Sequence, residues 1–303
     1  MILIAVPAVA AALVSVAAFF GQYSWRLDLI ANFRPQMGLL LLVLSLLLMA
    51  GRWWKTGWAV LVVAVVNLLT VLPLYLGPTT PTAAEPNWRV LSFNLRASNE
   101  QFAAVIDYIK EVDADVVFLH EVSRPWEVAL DAADLDYHIY NNREGSLIFA
   151  TLVMTKEEAQ VHSYGFELTG PRAVQVEVDG LTLLGIHPLS PTDEERAHLR
   201  NQQLAFVRDW FESTTGPRVI AGDFNSSPWS YPFRRLVNES GALNSQRGFG
   251  LQATYSVRSS ALLRVPIDHL LNSDGLVVVD RRLGPGDLGS DHFPLVVDLA
   301  LAP

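Results

Sequence analysis

The sequence predicts a mixed α/β domain of two packed β-sheets flanked by helices, preceded by three apolar spans. Three observations point there. Charge is almost absent from the first part of the chain: Met1 to Gly77 hold only Arg26, Asp28, Arg34, Arg52 and Lys55. Beyond it, short apolar segments with strand character alternate with amphipathic helical ones. Hairpin signals such as Asp179-Gly180 interrupt that alternation too often for a purely parallel sheet, which favours two packed mixed sheets.

Met1 to Gly21 carry no charge, enough residues to cross a bilayer core. Pro35 to Gly51 form a second uncharged run of about the minimum length, and Thr56 to Gly77 a third, interrupted only by Asn67. Tyr23, Trp25, Trp53, Trp54, Trp58 and Tyr75 cluster at the run edges, where amphipathic rings sit in a bilayer. A cleaved leader does not fit, because no basic stretch precedes the first run and two further runs follow it. Asn67 is either a functional polar group or, the favoured reading, a hydrogen bond between helices. Three spans put the N-terminus and the large domain on opposite sides. The loop Gly51–Gly57, with Arg52 and Lys55, is the denser basic one and is expected inside, which sends the domain to the exoplasmic or periplasmic face.

The stretch GPTTPTAAEPN from Gly77 to Asn87 reads as an extended linker. The expected organisation is therefore a membrane anchor over 1–77, a linker over 78–87 and a domain over 88–303. Within that domain, strands are expected at Arg89–Asn94, Asp115–Leu119, Leu147–Met154, Ala173–Val178 and Leu181–Ile186. Further strands are expected at Arg218–Ala221, Ile267–Leu271, Leu276–Val279 and Pro294–Leu299. Helices are expected at Asn99–Val112, where Phe102, Val105, Ile106 and Ile109 share a face, and at Asp193–Phe211, where Leu204, Val207 and Phe211 do.

The chain has no cysteine, which excludes disulfide scaffolds and thiolate metal sites; a metal here needs oxygen or imidazole ligands. Beyond Gly77 there are 18 basic and 30 acidic residues, a net charge of about −12. That balance disfavours long contact with a polyanion.

Six segments place polar residues at the ends of apolar strands, the rim where sites are built. They are Leu91-Ser92-Phe93-Asn94; Val116 to Glu121; Gly185-Ile186-His187; Val219 to Asn225, containing Gly222-Asp223-Phe224-Asn225; Ile267-Asp268-His269; and Gly289-Ser290-Asp291-His292-Phe293-Pro294. Singly, each has an ordinary explanation. Asp223 and Asn225 could cap a turn, His187 could be a core imidazole, Glu121 could cap the turn before Pro125, and Asp291-His292 could be a solvated loop.

As an ordered set the six segments resemble the endonuclease/exonuclease/phosphatase family over about Trp88 to Leu299, most specifically at Gly-Asp-Phe-Asn and Ser-Asp-His-Phe-Pro. The resemblance implies a four-layer sandwich and metal-dependent hydrolysis of phosphate esters, with Mg2+ or Mn2+. It implies a primary metal site at Asn94 and Glu121, with Asp291 a further ligand. His292 becomes the general base, or the group that holds the reacting phosphate, with Asp268 orienting it. Asp223 and Asn225 position the attacking water, His187 touches the phosphate or leaving group, and Arg172 is a substrate-binding cation. His120 stands where relatives usually carry glutamine, and is either an extra phosphate contact or a packing variant. The expected partners are a phosphate-ester substrate (nucleic acid, phospholipid or small molecule) and, through the spans, a lipid bilayer. The competing reading is a catalytically silent binding or signalling module on the same fold.

Overall fold

The computed structural model describes residues 1–77, 85–141, 150–166 and 173–302. The linker residues 78–84, the beginning of the strand expected from Leu147, and Arg172 lie outside the described residues.

Four helices come first: α1 (Ile2–Ala17), α2 (Trp25–Ala31), α3 (Arg34–Ala50) and α4 (Trp54–Val71). Alanines make their close packing possible. Ala5, Ala8 and Ala12 of α1 lie against Leu41 and Leu48 of α3 and Val60 and Ala64 of α4. Leu3, Leu13, Leu46, Val62 and Leu69 point outward, exposed. Asn67 binds helix to helix, as favoured from the sequence: its Nδ2 donates to Ser15 Oγ at 2.8 Å, and its Oδ1 accepts from Arg34 at 3.2 Å.

The expectation of three equivalent spans needs correction. Two helical stretches, Ile2–Tyr23 and Trp54–Leu74, are long and apolar enough to cross a membrane. The middle run folds as α3, whose 17 residues rise only about 26 Å, short of a core of about 30 Å. It reaches spanning length only together with α2, from which it is bent by 70°.

The rest is a sandwich. Its first half contains β1 (Trp88–Asn94), α5 (Phe102–Val112), β2 (Val116–Val122), α6 (Arg124–Asp131), β3 (His138–Asn141), β4 (Ala150–Thr155), β5 (Gln160–Tyr164), β6 (Ala173–Val178) and β7 (Leu181–Ile186). The second half contains α7 (Glu194–Ser213), β8 (Arg218–Asp223), α8 (Tyr231–Ser240), β9 (Leu243–Asn244), β10 (Asp268–Asn272), β11 (Leu276–Leu283) and β12 (Leu295–Leu301). One sheet runs β11-β12-β1-β2-β4-β3, the other β5-β6-β7-β8-β10-β9. Both are mixed, with β1–β2 and β7–β8 parallel and the other pairs antiparallel. Inward residues such as Val90, Phe118, Val153, Val176, Leu183, Val219, Leu270 and Val297 fill the space between the sheets. α5 and α6 cover the first sheet and α7 and α8 the second, which completes four layers.

The helical segment is docked on the sandwich, which the reading of an anchor joined to a domain by an extended linker did not anticipate. Leu74 O accepts from the N–H groups of Gly248 and Gly250, each at 2.8 Å. The Trp229 indole donates to Thr70 O at 3.0 Å. Asp28, one of the few charges of the first quarter, is buried: it accepts from Arg200 at 3.0 Å and from the Tyr231 N–H at 2.6 Å. Asn32 Oδ1 accepts from Ser227 N–H and Ser230 Oγ.

Candidate active site

Strand register assembles the site. β1 and β2 run parallel with Asn94 opposite His120, so Glu121, one residue on, emerges at the same edge. β7 and β8 run parallel with Ile186 opposite Gly222, which brings His187 and Asp223 out together. β10 lies antiparallel to β8 with Asp268 directly opposite Asp223. The last piece, Ser290 to His292, is tied in by Ser290 Oγ, which donates to Asn94 O at 2.6 Å and accepts from the His292 N–H at 3.0 Å.

Local backbone conformations re-aim these side chains. Glu121 has φ +56°, left-handed for a residue with a Cβ, beside a register break in the β2–β4 ladder. Such a bulge turns a side chain out of the strand's alternation. Asn225, at φ +48°, is left-handed too. Strain of this kind persists where surrounding contacts hold it, and here it sits at the rim. Gly222 has φ +150°, and a Cβ there would collide with the carbonyl oxygen of Ile186. That explains the glycine before Asp223.

The side chains meet around one point. Asn94 Nδ2 lies 3.1 Å from both Glu121 Oε1 and Asp223 Oδ2. His187 Nε2 is 3.6 Å from Asp223 Oδ2 and 3.8 Å from Glu121 Oε1. His292 Nε2 is 3.7 Å from the same Asp223 oxygen, while its Nδ1 meets Asp268 Oδ2 at 2.9 Å. Asn225 donates its N–H to Asp223 Oδ1 at 2.9 Å and its amide to Pro188 O at 3.0 Å.

Burial and mutual charge drive the acidities apart. Burial raises the Asp223 carboxyl to about 6, partly offset by His292. Burial would raise Asp268 as well, but the charge and hydrogen bond of His292 outweigh it and hold Asp268 below its ordinary value. Burial would lower His292, but Asp268 and then Asp223 outweigh it and raise the imidazole well above its usual range. The result is an ionised Asp268–His292 pair beside a carboxyl that titrates closer to neutrality.

These groups open into a cavity of about 400 Å³ lined by Glu121, His187, Asp223, Asn225, Asp291 and His292. Asn94 and Asp268 stand behind that lining. The sequence-predicted residues thus converge, except Arg172, which lies outside the described residues. His120 is not a cavity residue. It is fully buried between Ser92 Oγ at 3.4 Å and Thr151 Oγ1 at 3.1 Å, and burial lowers it to about 3, so it is neutral packing behind His187. Among the lining residues that escaped sequence reasoning are Arg96, Arg196 and Tyr255. Tyr255 packs on the His292 ring with centroids 4.8 Å apart. None carries a motif; Arg96 had only its place two residues after Asn94 to signal it.

The donor set suits a hard divalent cation, with carboxylate and amide oxygens, imidazoles and no thiolate. Asp223, Asp268 and His292 each offer an atom within 4.8 Å of the others. Asp268 Oδ2 and His292 Nδ1 are already spent on each other. Glu121, a quarter exposed, faces the cavity with Asp291 and leaves more room. Asn94 points its NH2 between two carboxylates while its Oδ1 accepts from the Arg96 N–H at 3.0 Å, so a cation would meet the amide oxygen only with the carboxamide turned over and that bond given up.

Solved structures share the fold. A humanized D. rerio TDP2 aligns with TM-score 0.59 at 17% identity, covering 70% of this chain and 98% of that one. D. rerio TDP2 complexed with single strand DNA product aligns at 0.56 and 17% identity, over 70% and 98%. An endonuclease/exonuclease/phosphatase from Beutenbergia cavernae DSM 12333 aligns at 0.56 and 21% identity, over 72% of each chain. Among curated protein sequences, none matches the chain. The model of the endonuclease/exonuclease/phosphatase family matches residues 91–292, from the strand that ends in Asn94 to His292 itself, and the chain belongs to that family.

Proposed function

We propose that the chain is a membrane-anchored, divalent-metal-dependent phosphoesterase, with an anchor over 1–77 and a catalytic domain over 88–303. The observation that carries this reading is the convergence of Glu121, His187, Asp223, Asn225, Asp291 and His292 on one cavity. Mg2+ or Mn2+ held by Glu121, Asn94 and Asp291 would neutralise phosphate charge and the charge that builds in the transition state.

The pKa pattern divides the remaining work. His292, kept protonated by Asp268, donates from Nε2 to a phosphoryl oxygen. This supports its phosphate-holding role over that of general base. Asp223, raised to about 6, is the group suited to take a proton from the attacking water near neutral pH. The Asn225 N–H orients that carboxylate. His187 contacts the phosphate or the leaving group, and Arg96 and Arg196 supply positive charge at the cavity wall. A domain charge of about −12 favours a compact phosphate ester over an extended polyanion. D. rerio TDP2 holds a single strand DNA product, so an oligonucleotide belongs in the test.

The full chain in neutral detergent is to be assayed with a small phosphodiester, a phospholipid and a DNA oligonucleotide side by side. Chelator is expected to abolish turnover, and Mg2+ or Mn2+ to restore it. Full activity in chelator, or no turnover of any substrate with metal, overturns the reading. For the anchor, a reporter fused after Pro303 is expected to report the exoplasmic or periplasmic face; a cytoplasmic signal reverses the orientation.

A further inference from the structure

A second cavity, of about 350 Å³, lies where the apolar helices meet the sandwich. Its wall on the helix side comes from one end of the bundle: Phe19 just after α1, Arg34 at the first position of α3, and Leu74 just after α4. Its wall on the sandwich side includes Trp229, Arg234 and Arg247. Three arginines line it and no carboxylate does. That is a local reversal of sign in a domain carrying about −12.

Arg34 is the informative member. It is 3% exposed. Its guanidinium stacks on the Phe19 ring and makes one hydrogen bond, to the neutral Asn67 Oδ1 at 3.2 Å. Among the described residues its other N–H groups have no acceptor. Asp28, the carboxylate whose field reaches Arg234, is committed to Arg200 at 3.0 Å. A guanidinium carries five donors, and burying one without an anion is costly. An anionic group in the cavity would satisfy it.

We propose that this cavity binds the phosphate headgroup of an anionic phospholipid from the leaflet on the domain side. The inference rests on the reading of α1 and α4 as membrane spans, because that reading sets the cavity at the level where headgroups lie. Basic pockets between spanning helices bind anionic headgroups on the cytoplasmic or matrix side of membranes, and the same charge pairing is open to an anionic lipid in the leaflet beside the domain. Arg34, Arg234 and Arg247 supply the charge, and the guanidinium fork matches phosphate oxygens. Phe19, Leu74 and Trp229 offer apolar surface to the glycerol and the first acyl carbons, and the outward faces of α1 and α4 continue that surface into lipid. A free phosphate would use the arginines and leave the apolar wall without purpose.

The test uses the full chain purified in neutral detergent. Phosphatidylglycerol, phosphatidylcholine and inorganic phosphate are titrated separately, with bound lipid read by native mass spectrometry and stability by thermal shift. One phosphatidylglycerol is expected to bind at least tenfold more tightly than phosphatidylcholine and to raise the melting temperature. Millimolar inorganic phosphate is expected not to displace it. Replacing Arg34 removes its bond to Asn67 and its stacking on Phe19 inside the bundle, so the diagnostic variant is Arg234→Gln with Arg247→Gln. It is expected to lose the lipid preference while hydrolysing a small soluble phosphodiester at the normal rate. Equal affinity for both lipids, displacement by inorganic phosphate, or an unchanged preference in the variant overturns the site. Alkaline carbonate extraction separates the two readings: a chain that remains in the membrane but shows no lipid preference overturns the site alone, and a chain that is washed off overturns the anchor and the site together.

Discussion

At the junction between helices and sandwich, Asp28 and Arg200 meet at 3.0 Å, and each guanidinium nitrogen and each carboxylate oxygen is hydrogen-bonded. Arg200 also donates to Asn225 O, Ser226 Oγ and Asn201 Oδ1, and Asp28 takes the Tyr231 N–H. At the rim, charge is buried as deeply but left incomplete. Asp223 accepts from the Asn225 N–H and from Asn94, but its charged neighbours His187 and His292 stand off at 3.6 and 3.7 Å, and Glu121 is open to the cavity. A buried pair held as at the junction is costly to break, because removing one partner leaves the other charge uncompensated. A buried carboxylate whose imidazole neighbours stand just beyond hydrogen-bond distance leaves room for a group between them. The two regions are also neighbours, since Arg200 grips the carbonyl of the same Asn225 whose N–H orients Asp223.

Substitutions can break that contrast. The largest effect on activity is expected at the rim: His292→Ala or Asp223→Ala should lower turnover by about 10²–10⁴-fold, with the fold retained by circular dichroism. Turnover within a few-fold of the parent in either variant would refute the site. The junction should respond the other way round. Asp28→Ala leaves Arg200 buried without its counter-charge and should cost about 3–5 kcal/mol of stability, measured by denaturant titration in detergent. Asp28→Leu combined with Arg200→Met should recover much of that loss. A single-variant cost below about 1 kcal/mol would show that the pair is solvated, not structural.

The smallest effect concerns buried imidazoles. Burial lowers His120 and His269 from 6.5 to about 3. A base depressed in the native state takes up its proton only on unfolding, so stability is lost as pH falls from 6.5 towards 3. His120→Gln removes one of those protons. Its stability should depend less steeply on pH in that window, by about 1.4 kcal/mol per pH unit. Contributions from His292 and Asp223 are common to both proteins and cancel in the difference. An unchanged slope would mean that His120 is protonated in the native protein.

Legibility in the sequence followed range. Asp179-Gly180 forms its turn with both residues at positive φ, and Asp193 caps α7 by accepting from the Arg196 N–H. Each signal acts within a few residues of itself. The helix expected from Asn99 begins only at Phe102, because Asn99 is spent on a local turn in which its Oδ1 accepts from the Gln101 N–H. β5 was not read from sequence; its half-exposed face gives little alternation. α6 and α8 were missed because each is short and starts at a proline pair, Arg124-Pro125 and Tyr231-Pro232, that reads as a turn. Of the rim, the motif-bearing residues were legible, while Arg96, Arg196 and Tyr255 were not.

By itself the sequence determined the apolar first quarter, the alternation of strands and helices, the family, and which strands end in chemistry-bearing side chains. Those properties are written in local pattern and in the order of short motifs. Only the tertiary structure decided that Asp268 lies opposite Asp223, that His120 is packing, that Asp28 is an interior ion-pair partner and that the helices are docked on the sandwich. Each of these depends on register or burial between residues far apart in the chain, and a polar side chain reads the same in sequence whether it ends in water or against a buried opposite charge.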